Sequence, residues 1–159
     1  MSTATADLYD RYGEELQVPA PMFNDYGGLR SFCGVIATVK VHEDNSLVCA
    51  ALEEPGQGRV LVIDGGGSLR CALVGERLAL VAQQNGWSGM VVYGCIRDSA
   101  AIASIGIGLK AMNTTPRKSV KRGFGERDIA VSFAGVTFTP GAYLYADPDG
   151  MLVADRRLV

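Results

Sequence analysis

Between Val35 and His42 the chain alternates, with Val35, Ala37, Val39 and Val41 on one parity and Ile36, Thr38, Lys40 and His42 on the other. A period of two predicts a half-buried strand, and it places His42 beside Lys40 on the more polar face, as a solvated histidine. Residues 60–63 (VLVI) and the run MVVYG ending at Gly94 are short continuous apolar stretches, which predict buried strands. Leu47, Val48, Ala51 and Leu52 recur at helical spacing, with Asn45 or Ser46 as the cap and Pro55-Gly56 as the stop. Leu78, Val81 and Ala82 do the same in GERLALVAQQNG, where Asn85-Gly86 ends the helix. A first helix is expected over residues 6–15 with Thr5 as its N-cap, broken by VPAPMF. RDSAAIAS reads as a short helix or turn and residues 107–112 as a strand. Beyond Gly125 several short strands are expected, with turns at Ala134-Gly135, Pro140-Gly141 and Asp149-Gly150. The middle therefore reads β-α-β-α-β and the last third mostly β, an α/β class with a mixed sheet.

Composition narrows the field. The 159 residues suit one domain spanning 1–159, and 48% hydrophobic with 20% charged residues is a globular balance. A net charge of −2 argues against a dedicated nucleic-acid binder. No apolar run approaches the roughly 18 residues that span a bilayer. MSTATADLYDRYGEE lacks the basic start and apolar centre of a secretory signal, so a cytoplasmic protein with no membrane partner is expected. Cys33, Cys49, Cys71 and Cys95 are too far apart for zinc-site pairs and read as buried thiols. Cys95 stands two positions from Arg97, and such a cation lowers a thiol pKa; a Cys–His nucleophile is disfavoured because His42 is distant.

Three places carry candidate chemistry. The turn DGGGS departs from a dinucleotide fingerprint, because Gly65 and Gly67 fit but Arg70 stands where the third glycine belongs. It reads better as a tight turn whose N–H groups line an anion pocket. Gly75-Glu76-Arg77-Leu78 opens the clearest helix, and a helix start offers unpaired N–H groups and a positive dipole to a carboxylate or phosphate. Arg97-Asp98 follows the next strand. It has two readings: an Arg bonded to carbonyls beside an Asp capping SAAIAS, or an anion-binding Arg beside a carboxylate for a divalent cation. These three places can converge at one sheet edge. RKSVKR (residues 117–122) reads as a solvated loop or as a contact for an acidic partner or neighbouring subunit, for which the acidic turn ADPDG is a candidate.

The segments DYGGLRSFCGVIATVK, GRVLVIDGGGSLRCALVGERLA, GWSGMVVYGCIRD and FAGVTFTPGAYLYADPDGMLV, in this order, cover nearly the whole chain. Through them it resembles the RraA-like family, which includes 4-hydroxy-4-methyl-2-oxoglutarate aldolases and regulators of ribonuclease activity. The resemblance implies a swivelling β/β/α domain, in homotrimers or dimers of trimers. It implies a lyase that cleaves 4-hydroxy-4-methyl-2-oxoglutarate to two pyruvates and decarboxylates oxaloacetate through the same pyruvate enolate. It assigns the substrate carboxylate to backbone N–H groups of Gly75, Glu76, Arg77 and Leu78, substrate binding and catalysis to Arg97, and a magnesium or manganese ion to Asp98. No lysine falls in these motifs, so a Schiff base is not favoured. Longer aldolases of the family add an acidic residue from an adjacent subunit, which has no counterpart to assign here. The alternative that the resemblance carries is a non-catalytic regulator that binds ribonuclease E.

Overall fold

Strand-length apolar runs and helix-length amphipathic runs alternate along the chain, and the computed structural model, which describes residues 2–159, follows them. In chain order come α1 (Thr5–Tyr12) with a single 3-10 turn (Gly13–Glu15), β1 (Asn24–Asp25), β2 (Phe32–Lys40), α2 (Ser46–Leu52) and β3 (Val60–Asp64). Then follow β4 (Ala72–Val74), α3 (Glu76–Gln84), β5 (Gly89–Ile96), α4 (Ser99–Ile102) and β6 (Gly108–Thr114). The chain closes with β7 (Glu126–Arg127), β8 (Val131–Phe133), β9 (Val136–Phe138), β10 (Tyr143–Asp147) and β11 (Gly150–Ala154).

The main sheet runs β1-β6-β5-β3-β2-β10-β11, with β4 beside β5 and β7 beside β2. β2, β3, β5 and β6 are mutually parallel, while β1, β7, β10 and β11 add antiparallel edges. Every residue of β3 is buried, because both faces are covered. Leu61 and Ile63 pack with Val48, Leu52, Leu78 and Ala82 of α2 and α3. Val60 and Val62 pack with Val131, Phe133, Val136 and Phe138 of the β8–β9 hairpin. The order hairpin, sheet, helices is the β/β/α layering, and the mixed sheet is the one expected.

Two-sided cover also corrects the reading of β2. Ile36 and Thr38 are buried as well as Ala37 and Val39, and it is Val35 that is exposed. His42 is exposed, just past the end of this strand. Gly94 does not end β5, which continues to Ile96 through a register shift against β6 between Val92 and Cys95. The strand β4 has no forerunner in the sequence reading, because three residues are too few to show a period.

The caps differ from expectation too. Thr5 is the first helical residue and not the cap; its N–H and hydroxyl donate to the Asp147 carboxylate at 2.8 and 2.7 Å. The acidic turn therefore anchors α1. Asn45 occupies the cap position of α2 without a side-chain cap bond. Asp44 does that work: the Ser46 N–H and hydroxyl donate to its Oδ1 at 2.8 and 2.6 Å.

Asp44 also organises RKSVKR, which is not a free loop. Residues 115–124 form a strap across the ends of β5 and β4. The Thr115 N–H donates to the Ile96 carbonyl at 3.0 Å, and the Arg117 carbonyl accepts from Ala72 at 2.7 Å. The Val120 N–H reaches the Glu43 carbonyl at 3.1 Å. Arg122 and Phe124 then donate their N–H groups to Asp44 Oδ2 at 2.8 and 3.3 Å. Burial of Asp44, 2% exposed, opposes its ionisation, but these four hydrogen bonds outweigh it and hold the carboxyl at about 2.

Two predictions follow from this packing. The Phe32 ring lies on Gly89 and Gly108, neighbours across β5 and β6, where any added Cβ overlaps the ring. Gly108→Ala is expected to cost about 1–3 kcal/mol in urea unfolding. Asp44→Asn is expected to cost about 2 kcal/mol at neutral pH. A depressed folded-state pKa gives stability that is present above the unfolded value of about 4 and is lost as pH falls through about 2. The gap between wild type and Asp44→Asn should therefore close between pH 5 and pH 2 in melts followed by circular dichroism.

Candidate active site

The parallel strands β4 and β5 end side by side. Arg97, just past β5, donates its N–H to the Val74 carbonyl at 3.0 Å, so Gly75 and Arg97 leave the sheet together. Asp98 then takes a left-handed backbone, φ 60, and its carboxylate turns to the start of α3. Asp98 Oδ2 accepts the Glu76 N–H at 2.9 Å. Asp98 thus sits at the N-cap position of α4 but makes no side-chain bond there, and it caps α3 instead. Gly75 makes this approach possible. Its backbone is extended, at φ −126, so conformation does not require glycine. Space does: a Cβ at position 75 would lie 2.8 Å from Asp98 Oδ2 and 3.4 Å from Arg97 Cγ.

A cavity of about 210 Å³ lies here, below the roughly 300–1,000 Å³ of drug-sized sites and so suited to a small molecule. Gly75, Glu76, Arg77, Leu78, Arg97 and Asp98 all line it. With one first-turn donor of α3 given to Asp98, the N–H groups of Arg77 and Leu78 come next and have no intrahelical partner. The Leu78 side chain itself is buried in the helix-side core. Arg97 makes only a long contact, Nη1 to the Pro116 carbonyl at 3.4 Å. The strap supplies the remaining wall through Lys118, Ser119 and Lys121. These were missed because the basic run carries no period or fingerprint; its place depends on Asp44, far away in sequence.

The glycine turn does not join them. Gly65 and Gly67 donate to the Tyr93 carbonyl, both at 3.1 Å, and Gly66 donates to Asp64 Oδ1 at 2.9 Å. Its amides are therefore spent on Tyr93 of β5 and on Asp64, and two of the three expected places converge. Burial pushes the Cys95 thiol up, against the lowering expected from Arg97. The ADPDG turn meets α1 and not the basic strap.

A larger groove of about 900 Å³ is lined by Tyr9, Val18, Phe23 and Met151, with the Lys110–Asp25 ion pair among its walls. That pair is 3.0 Å apart and Lys110 also donates to the Asp147 carbonyl, so its charges answer each other. The smaller cavity has the unanswered charge and the free donors.

Among the described residues no three His, Cys, Asp or Glu side chains group as a metal cage. The exposed Asp98 carboxylate, with one oxygen held by Glu76, fits a hard divalent cation that takes one carboxylate and fills its shell with water and substrate oxygens. It does not fit a closed zinc site. No helix among the described residues is long and apolar enough to cross a membrane.

Residues 4–153 match the family model RraA-like: Aldolase/RraA. A protein of Alkalilimnicola ehrlichii, provisionally named 4-hydroxy-4-methyl-2-oxoglutarate aldolase, is 58% identical over all of this chain and 99% of its own. The crystal structure of a Geobacillus kaustophilus protein, described as an S-adenosylmethionine:2-dimethylmenaquinone methyltransferase, superposes with TM-score 0.96 at 52% identity, covering 99% of this chain and 97% of that one. The RNA-processing inhibitor RraA of a Thermus species gives TM-score 0.96 at 44% identity, covering 100% and 96%. The chain belongs to the RraA-like family.

Proposed function

We propose that this protein is a divalent-metal-dependent lyase that cleaves 4-hydroxy-4-methyl-2-oxoglutarate to two pyruvates and decarboxylates oxaloacetate as a side reaction. The observation that carries the reading is the meeting of Arg97, Asp98 and the open first turn of α3 in one small cavity. The names of its aldolase relatives support the same reaction. The N–H groups of Arg77 and Leu78 take the substrate 1-carboxylate, aided by the helix dipole. Arg97 reaches the 2-keto oxygen, where its hydrogen bonds strengthen as the C4 hydroxyl proton passes to water, the C3–C4 bond breaks and negative charge gathers as an enolate, which a proton from water then converts to the second pyruvate. Asp98 would hold a magnesium or manganese ion, which would supply Lewis-acid polarisation at the keto group. Loss of carbon dioxide from oxaloacetate leaves the same enolate, so one arrangement serves both substrates. The glycine turn does not favour the methyltransferase chemistry named for one relative, because its amides are bonded to Tyr93 and Asp64.

A second reading, restraint of ribonuclease E through protein–protein contact, is favoured by the likeness to the Thermus RNA-processing inhibitor. It is tested by pulldown and inhibition with the purified nuclease; absence of binding removes it. The family resemblance extends this reading to a homotrimer or dimer of trimers, acting on small 2-keto acids in the cytoplasm.

Pyruvate release should stop on chelation and return with Mg²⁺ or Mn²⁺. Asp98→Asn keeps an acceptor for the Glu76 N–H and removes the charge, so it should fold normally and lose metal stimulation; undiminished turnover would sink the metal role. Arg97→Ala is expected to lower kcat/KM at least ~10²-fold, the scale of one oxyanion donor. Gly75→Ala should melt within a few degrees of wild type yet lose most turnover, because the new methyl displaces the Asp98 carboxylate; full activity in this variant would contradict the close approach.

A further inference from the structure

Arg77, Arg97 and Lys118 line the cavity and none has an acidic partner among the described residues. Lys121 is the fourth cation, and its ammonium donates to two neutral groups, Asn45 Oδ1 at 2.7 Å and Cys49 Sγ at 3.2 Å. Against these four stand Glu76 and Asp98. One carboxylate and one keto oxygen are already provided for by the α3 amides and Arg97, before either strap lysine is used. The remaining positive charge sits on a different wall, the strap, which is fastened independently through Asp44 and Ala72. Two anion-binding walls facing one small cavity suit a ligand with two separated anionic groups.

We propose that Lys118 and Lys121 bind the carboxylate remote from the keto group, and so select dianionic 2-keto acids over monoanionic ones. This rests on the lyase reading for the identity of the acids but not for the two-anion geometry. Lys121 is the pre-oriented member, because Asn45 and Cys49 take two of its three N–H donors and leave one for a ligand. Lys118 is exposed and makes no hydrogen bond among the described residues, so it supplies charge that adapts to the ligand. Asp44 is a positioning residue: it touches no ligand but sets the strap that carries both lysines.

The test compares 4-hydroxy-4-methyl-2-oxoglutarate with 4-hydroxy-2-oxopentanoate, which has the same cleavable bond and lacks the second carboxylate. In the Lys118→Gln/Lys121→Gln variant, the preference for the dianion in kcat/KM should fall about 10- to 100-fold, mainly through KM, the scale of one or two charge-assisted hydrogen bonds. The Lys118→Arg/Lys121→Arg variant should keep most of that preference. An equal loss on both substrates, or an arginine variant as impaired as the glutamine one, overturns the proposal; the second outcome would point to lysine amine chemistry instead. Calorimetry of 2-oxoglutarate against 2-oxopentanoate gives a readout free of turnover, and melts confirm that the variants fold. Wild type should bind the dianion at least ~10-fold tighter, and the glutamine variant should not. If that preference holds while no keto acid is cleaved, the lyase reading falls and the two-anion site stands. If cleavage occurs and the preference is absent, the two-anion site falls alone.

Discussion

Asp98 Oδ2 rests 2.9 Å from the Glu76 nitrogen, and a methyl group at position 75 would come within 2.8 Å of the same oxygen. This contact closes the end of β5 onto the start of α3, and the cavity takes its shape from it. It requires a left-handed aspartate, a conformation costing about 1 kcal/mol that Asp tolerates better than most residues. A hydrogen bond to an ionised carboxylate is of the size to offset that cost. The same bond selects which donors remain. It takes the Glu76 N–H, leaves those of Arg77 and Leu78, and leaves the second carboxylate oxygen of Asp98 outside this bond.

Around this contact the fold supplies two kinds of support. The sheet beneath is packed on both faces, by α2 and α3 on one and the β8–β9 hairpin on the other, so the ends of β4 and β5 are fixed by the core. The strap has no such core. Its side chains include the exposed Val120 and Phe124, and it is held by main-chain bonds to Ala72 and Glu43 and by the buried Asp44 carboxylate. One wall of the cavity thus depends on apolar packing and the opposite wall on electrostatics. They respond differently to conditions: acid weakens the second while leaving the first in place.

Much of this was legible in the sequence. Periodicity located α2 and α3, continuous apolar runs located β3 and the start of β5, and the family motifs pointed to Gly75 and Arg97-Asp98 as one region. What stayed hidden depended on contacts between distant positions. The two-sided burial of β2 could not be read from its alternation, because the hairpin that covers its second face comes about ninety residues later. Asp44 gave no signal, since a single carboxylate before a helix resembles any local cap. The glycine turn resembles an anion site in sequence because Tyr93, which takes two of its amides, lies about twenty-five residues further on. RKSVKR is largely exposed, as its composition suggests, but its fastening stays hidden because the anchors are at Ala72 and Asp44.

The donors at the start of α3 are main-chain groups, and the cations of the strap are side chains. Main-chain donors survive any substitution that preserves the helix start. They are shared by every sequence that adopts this fold. Side-chain charges on a tied surface segment can be exchanged one at a time without disturbing the core. The cavity is therefore split into a half that drift cannot easily erase and a half that it can readily retune.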